Sequence, residues 1–212
     1  MLQSPTAHLL MECLSLEEHI PIPEPVQPHD WQALVSLARR QGLAPLLYWR
    51  LHPDRLRWSA PESILQALQQ DYNQTFSQNL KIFQALEQVL ARLGQGRTLT
   101  MPLKGVFLTE RVYQNLGLRP MSDIDLLLPR EQLSHAIQVL QELGYQPPYS
   151  LDPEQECRVR HALPTFSLPG RPGAPAFDLH WTLAPPNSPF QIPIQALWQR
   201  ARPGLMMDQP VV

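Results

Sequence analysis

Cysteine is nearly absent from this chain. Only Cys13 and Cys157 occur in 212 residues, and they form neither a zinc-ligand spacing nor a disulfide framework. Charge is sparse as well. The 17 Lys and Arg against 19 Asp and Glu leave a formal net charge of −2, which excludes broad electrostatic capture of nucleic acid, because that takes a clustered excess of basic residues. A local basic stretch at Arg50, Arg55 and Arg57 reads as a solvated loop. No apolar run reaches the ~18 residues needed to span a bilayer. The N-terminus lacks a basic segment followed by an apolar core, so no signal peptide is expected. Internal repeats and low-complexity tracts are missing too. The expectation from these features is a cytoplasmic protein in a reducing compartment, with no membrane partner and a chain long enough to bury a sizeable core.

Proline, by contrast, is plentiful: the 24 prolines punctuate the apolar patterns rather than interrupt them. Leu9, Leu10, Cys13, Leu14 and Leu16 repeat at helical spacing before Pro21, Pro23, Pro25 and Pro28 mark a linker. Asp30 is placed to cap a helix starting at Trp31, with Leu34, Leu37, Ala38 and Leu43 on one face. Residues 61–94 hold the longest periodic stretch, running from Ile64, Leu65, Leu68, Tyr72, Phe76 and Leu80 to Phe83, Leu86, Val89, Leu90 and Leu93, and closing at Gly94. Further on, Glu131 to Leu143 predicts an amphipathic helix, 153–161 and 193–200 shorter ones, and Thr165 to Leu168 a strand. A Pro- and Gly-rich tip over 169–175 would join that strand to the next as a hairpin.

The chemistry concentrates in Arg119-Pro-Met-Ser122-Asp123-Ile-Asp125-Leu-Leu-Leu128. On a strand, residues two apart share a face about 6.5–7 Å from one another. Asp123 and Asp125 would therefore project together, while Ile124, Leu126 and Leu128 turn into a core. Carboxylates this close repel unless a cation or proton neutralises them, and Mg²⁺ takes one or two carboxylates plus substrate phosphates. An Asp-x-Asp alone also fits an ordinary solvated cap, so its surroundings matter. Upstream, Thr98 to Leu103 reads as a short strand. Lys104 and Gly105 then open a helix carried by Val106, Leu108, Val112 and Leu116, a place where backbone amides can approach a phosphate and Lys104 can add a point charge. Arg119 lies close enough to brace the acidic pair or to grip a phosphate in bidentate fashion. Downstream, Phe177, Leu179 and Trp181 alternate with Asp178 and His180. If that strand lies beside the first, three carboxylates converge, the arrangement that holds two metal ions for displacement at phosphorus. His180 fits either a base or supporting partner, or a half-buried structural histidine.

Leu103-Lys-Gly105, Arg119-x-x-Ser122-Asp123-Ile-Asp125-Leu and Phe177-Asp178-Leu-His-Trp181 together resemble the nucleotidyltransferase superfamily of DNA polymerase β-like fold. The branch they look most like is that of uncharacterised bacterial nucleotidyltransferases with a Lys-Gly opening, akin to the transferase toxins of some toxin–antitoxin pairs. The likeness covers about residues 80–185. It implies Asp123, Asp125 and Asp178 as catalytic metal ligands for Mg²⁺ or Mn²⁺, and Lys104, Gly105, Arg119 and Ser122 at an NTP such as ATP. Two departures stand out: Lys-Gly replaces the commoner Gly-Ser, and the interval to the carboxylates is longer. Thr109, one turn after Gly105, is a candidate for the missing hydroxyl, its plainer reading being a surface residue.

The expected architecture is α+β, with an N-terminal helical region (1–94), a small mixed sheet of nucleotidyltransferase type flanked by helices (95–185), and a C-terminal helix and tail (186–212), truncated or naturally short, in which an apolar strand begins at Pro210. The expected activity is transfer of a nucleoside monophosphate from an NTP to RNA, protein or a small molecule. The alternatives are a non-catalytic protein- or RNA-binding module and a metal-dependent phosphohydrolase or nuclease using the same carboxylates.

Overall fold

The computed structural model describes residues 4–15, 26–52 and 60–212. Leu16, the linker prolines Pro21, Pro23 and Pro25, and Arg55 and Arg57 of the basic stretch lie outside the described residues. The chain divides into two units, Met1–Asn79 with Tyr113–Pro120, and Leu80–Val112 with Met121–Val212.

The first unit is helical. Ser4 caps α1 (Pro5–Leu14), its hydroxyl accepting from the Ala7 amide, and Pro5 occupies the position where no amide partner is needed. Helix α2 (Pro28–Arg40) begins earlier than the Trp31 start expected from the sequence. Asp30 is not the cap but the third helical residue, and its carboxylate reaches back to the Gln27 amide at 3.2 Å. Gly42, at φ 67°, turns the chain into α3 (Ala44–Leu51). Leu9, Leu10 and Cys13 of α1 share a core with Trp31, Leu34, Val35 and Ala38 of α2, Leu47 and Leu51 of α3, and Leu68. Burial pushes the Cys13 thiol up to about 12, so it behaves as a core apolar group.

The long periodic stretch forms α4 (Glu62–Gln95), whose residues up to Asn79 belong to the first unit. Its buried stripe departs from the apolar pattern. Phe76 and Leu80 are exposed, while Thr75 and Asn79 are buried. The reason is hydrogen bonding: Asn79 Nδ2 donates to the carbonyls of Leu116 (2.6 Å) and Arg119 (2.7 Å), tying the 113–120 loop to the helix. Tyr72 adds a bond from its hydroxyl to Asn115 Oδ1 at 2.9 Å. A polar residue wins the inward position because the irregular loop has carbonyls that only a side chain can satisfy.

In the second unit, Ile82, Phe83, Leu86, Val89, Leu90 and Leu93 of α4 are buried. A three-stranded sheet follows in the order β1-β2-β3, with β1 at Met101–Pro102, β2 at Asp123–Leu127 and β3 at Ala176–His180. β1 runs antiparallel to β2, and β3 parallel to it. The sheet is therefore mixed and small, as expected. The predicted first strand shrinks to two residues, for Pro102 has no amide to offer a ladder. Helix α5 (Lys104–Leu108) passes into a π-helical turn (Thr109–Tyr113) rather than one regular helix, leaving Val112 exposed.

Between β2 and β3 lie a 3-10 turn (Arg130–Gln132), α6 (Leu133–Glu142) and α7 (Pro153–Val159), capped by Asp152. This is the crossover that parallel strands require. Gly144, at φ 91°, follows α6. The strand expected at 165–168 is reduced to isolated antiparallel bridges, Phe166 with Phe177 and Ser167 with Gln146. Helix α8 (Ile194–Arg200) precedes a terminal hairpin of β4 (Gly204–Met206) and β5 (Gln209–Val211). The expected terminal strand thus exists, and it pairs antiparallel with β4, whose Leu205 and Met206 were not read as a strand from the sequence. Arg111 donates to the Leu205 carbonyl, and the Val212 amide to the Thr100 carbonyl, which fasten the hairpin within this unit. No described helix is long and apolar enough to cross a membrane.

Replacing Asn79 with Ala strands two loop carbonyls, and a loss of about 1–3 kcal/mol in unfolding free energy is expected. Urea titration followed by circular dichroism measures it; an unchanged midpoint would show that the Asn79 bonds do not hold the loop.

Candidate active site

Strand β2 sorts its residues by face. Ile124 and Leu126 are fully buried on one side, and Asp123, Asp125 and Leu127 share the other. Parallel register then sets Asp125 beside Asp178, and Leu127 beside His180. Ligating atoms of Asp125, Asp178 and His180 lie within 4.8 Å of one another. Asp125 and His180 are 3% and 4% exposed, so these groups meet almost without water.

Lys104 arrives by a backbone route. The Leu103 amide donates to the Asp125 carbonyl at 2.9 Å, which fixes the end of β1 against β2. The next residue, Lys104, takes a left-handed backbone (φ 46°) that is costly for any side chain but glycine. The turn places its Nζ 2.5 Å from Asp125 Oδ1. The sequence pointed to Gly105 as the special backbone position, but the positive φ falls on Lys104, and Gly105 is buried inside the first turn of α5.

His180 Nε2 lies 2.8 Å from the same Asp125 oxygen. Burial pushes the Asp125 carboxyl up, but the hydrogen bonds from His180 and Lys104 and their charges outweigh it, and the group sits below its ordinary value. Donors are unevenly shared across the cluster. Asp125 Oδ1 has two, whereas Asp178 Oδ1 and His180 Nδ1 are buried with no hydrogen-bond partner among the described residues.

A cleft of about 340 Å³ opens against this cluster, lined by Lys104, Asp178 and His180 on one side and by Val159 to Thr165 and Pro185 on the other. Its far wall is pinned to β3, since the Leu163 amide donates to Leu179 and the Trp181 amide to His161. His161 stacks at a tilt on His180, their ring centroids 5.6 Å apart. Burial, then the neighbouring His180 and Lys104, lowers the His161 pKa against the opposing pull of Asp178, so this imidazole is neutral near pH 7.

The remaining expected site residues are placed as follows. Asp123 is half-buried at the first residue of β2, beside Ala176, accepts from the Ser122 hydroxyl at 3.0 Å, and lies outside the tight cluster. Arg119 belongs to the first unit. Thr109 is no surface residue: it is fully buried, and its hydroxyl faces Met121 Sδ at 3.5 Å. The sequence reading missed His161, which carries no periodic signal, and underestimated the burial of His180.

A divalent cation fits this donor set: two carboxylates and an imidazole converge, and one carboxylate oxygen is buried without a donor. Residues 27–212 match the family described as uncharacterised nucleotidyltransferase. The chain belongs to that family. No curated protein and no solved structure matches it. As a nucleotidyltransferase it has a site where in-register carboxylates, a lysine and a cleft stand together.

The lowered Asp125 pKa has a defined linkage. Its folded value lies below the ordinary 3.8, so its stabilising contribution is complete above that value and is lost as pH falls through the folded one. Stability measured by denaturant titration from pH 5 to 2 should fall less steeply in Asp125→Asn than in the native chain. Parallel profiles would show that the Lys104 and His180 contacts do not favour the charged carboxylate.

Proposed function

We propose that this nucleotidyltransferase moves a nucleoside monophosphate from an NTP, ATP among them, to a hydroxyl or other nucleophile on RNA, protein or a small molecule in the cytoplasm. The observation that carries the reading is the parallel register that pairs Asp125 with Asp178 next to Lys104 and an open cleft. In the reaction a bond forms between the acceptor oxygen and the α-phosphorus, the bond to the β-phosphate oxygen breaks, pyrophosphate leaves, and the acceptor proton passes to water.

Asp123, Asp125 and Asp178 are the catalytic carboxylates and would hold Mg²⁺ or Mn²⁺. When bound, such ions neutralise the triphosphate and lower the pKa of an attacking hydroxyl. Lys104 reaches the site from solvent: its side chain is 59% exposed while its partner Asp125 is 4% exposed. It can therefore exchange the carboxylate for a phosphate oxygen at little desolvation cost. Gly105 and Ser122 accompany it at the nucleotide, and Arg119 joins them on the sequence motif alone. Catalysis comes from positioning and charge compensation rather than from covalent chemistry. All three carboxylates fall in the 95–185 core, between a helical region over 1–94 and a tail over 186–212.

The test is Mg²⁺- or Mn²⁺-dependent transfer of label from α-labelled NTPs into extract RNA and protein. Asp125→Asn and Asp178→Asn should each lower transfer on the order of 10²–10³-fold, the scale of losing one preorganised electrostatic group. Label incorporated by both variants at the native level, or none from the native chain with any NTP, would sink the transferase reading; the second result would favour a binding module. Phosphate released stepwise without pyrophosphate would favour the hydrolase.

A further inference from the structure

The three-carboxylate reading gives His180 no task, yet His180 lines the cleft and is almost as enclosed as Asp125. Its side chain is 5% exposed, against 4% for Asp125. A histidine buried to that degree is normally hydrogen-bonded at both nitrogens. Here Nε2 crowds onto an Asp125 oxygen that Lys104 already contacts, and Nδ1 has no partner. Across the strand pair the opposite defect appears: Asp178 Oδ1 is shielded from solvent and receives no donor among the described residues. Leaving a charged oxygen buried in that way is costly unless a cation joins it.

Strand geometry accounts for the convergence. Asp178 and His180 are two apart on β3 and so share its face, while register sets Asp178 beside Asp125. One nitrogen and two oxygens, each from a different side chain, thereby come within 4.8 Å of one another. Asp123 stands outside this group at the strand entrance. The polar face thus has an inner part with an imidazole and an outer part with a carboxylate.

We propose that Asp125, Asp178 and His180 form an inner divalent-cation subsite with mixed carboxylate and imidazole donors, selective for first-row transition ions over Mg²⁺. Mg²⁺ is a hard ion bound through oxygen ligands and water. An imidazole nitrogen raises affinity for first-row transition ions over Mg²⁺, least for Mn²⁺ and increasingly for Fe²⁺, Co²⁺ and onward. Lys104 holds the Asp125 charge in the ion's absence and is released toward the cleft when the ion takes that charge over. The use of the ion in catalysis rests on the nucleotidyltransferase reading above; its binding does not, and is measurable without nucleotide.

The experiment is titration of the full chain with Mn²⁺ and with Mg²⁺ by calorimetry, with electron spin-echo spectroscopy of the Mn²⁺ form. The expected result is Mn²⁺ bound at least about 10-fold more tightly than Mg²⁺, with nitrogen modulation from a coordinated imidazole. His180→Gln should remove the modulation and weaken Mn²⁺ by roughly 10–100-fold, the scale of losing a metal-site partner. His161→Gln should keep the modulation. If His180→Gln does not fold, ¹⁵N-histidine labelling of the native chain, with His161→Gln as the control, still reports whether the nitrogen is histidine and is not His161. Mn²⁺ bound without nitrogen modulation, equal affinity in His180→Gln, or no nucleotide-free Mn²⁺ binding would each overturn the subsite. Label transfer run alongside separates the two readings. Transfer without a nitrogen signature rejects the subsite and keeps the transferase, whereas the signature without transfer does the reverse.

Discussion

Two carboxylates side by side on adjacent parallel strands are an electrostatic liability, and much of the second unit is arranged around that liability. Asp125 and Asp178 are held in register by the β2–β3 ladder, so their backbones cannot separate without breaking hydrogen bonds between the strands. Burial makes their repulsion harder to screen. One charge is answered by Lys104 and His180. The other receives no donor on Oδ1 among the described residues, and that residual imbalance is what the proposed cation site rests on.

The backbone around the cluster is built to keep this arrangement rigid. Leu103 donates to Asp125, Leu128 to His180 and Leu163 to Leu179, while Phe166 and Phe177 exchange both of their bonds. β3 is therefore held by β2 on one side and by the 161–167 segment on the other. That segment also lines the cleft, so part of the cleft's wall is tied to β3 by backbone hydrogen bonds. The left-handed backbone at Lys104 belongs to the same economy: strain at one residue is tolerated where the surrounding structure over-determines its position. Preorganisation of this kind is what a reaction driven by charge compensation needs.

Much of the site is legible in the sequence alone. Asp-x-Asp in an apolar run and the alternation of Phe177, Asp178, Leu179 and His180 assign faces through the two-residue period of a strand, which is a local rule. Helices over 62–95, 133–142 and 153–159 were visible for the corresponding reason. The errors share a cause as well. Phe76 and Leu80 look like core and are exposed, and Asn79 looks like surface and is buried, because the decisive partners, the carbonyls of Leu116 and Arg119, are about forty residues away. Thr109 was misjudged likewise: its partner Met121 lies across a π-helical turn that apolar spacing does not announce.

The sequence by itself therefore determined which residues face together within each element, the absence of a long apolar span, and the chemical character of the polar face. Those follow from covalent geometry and side-chain type. Only the tertiary structure decided that β2 and β3 are neighbours in a register that meets Asp125 with Asp178, that Lys104 rather than Gly105 bears the unusual backbone, and that His180 and His161 flank the cleft. Strand pairing and burial depend on contacts between residues far apart in the chain, and a local pattern holds no record of which distant partner will supply them.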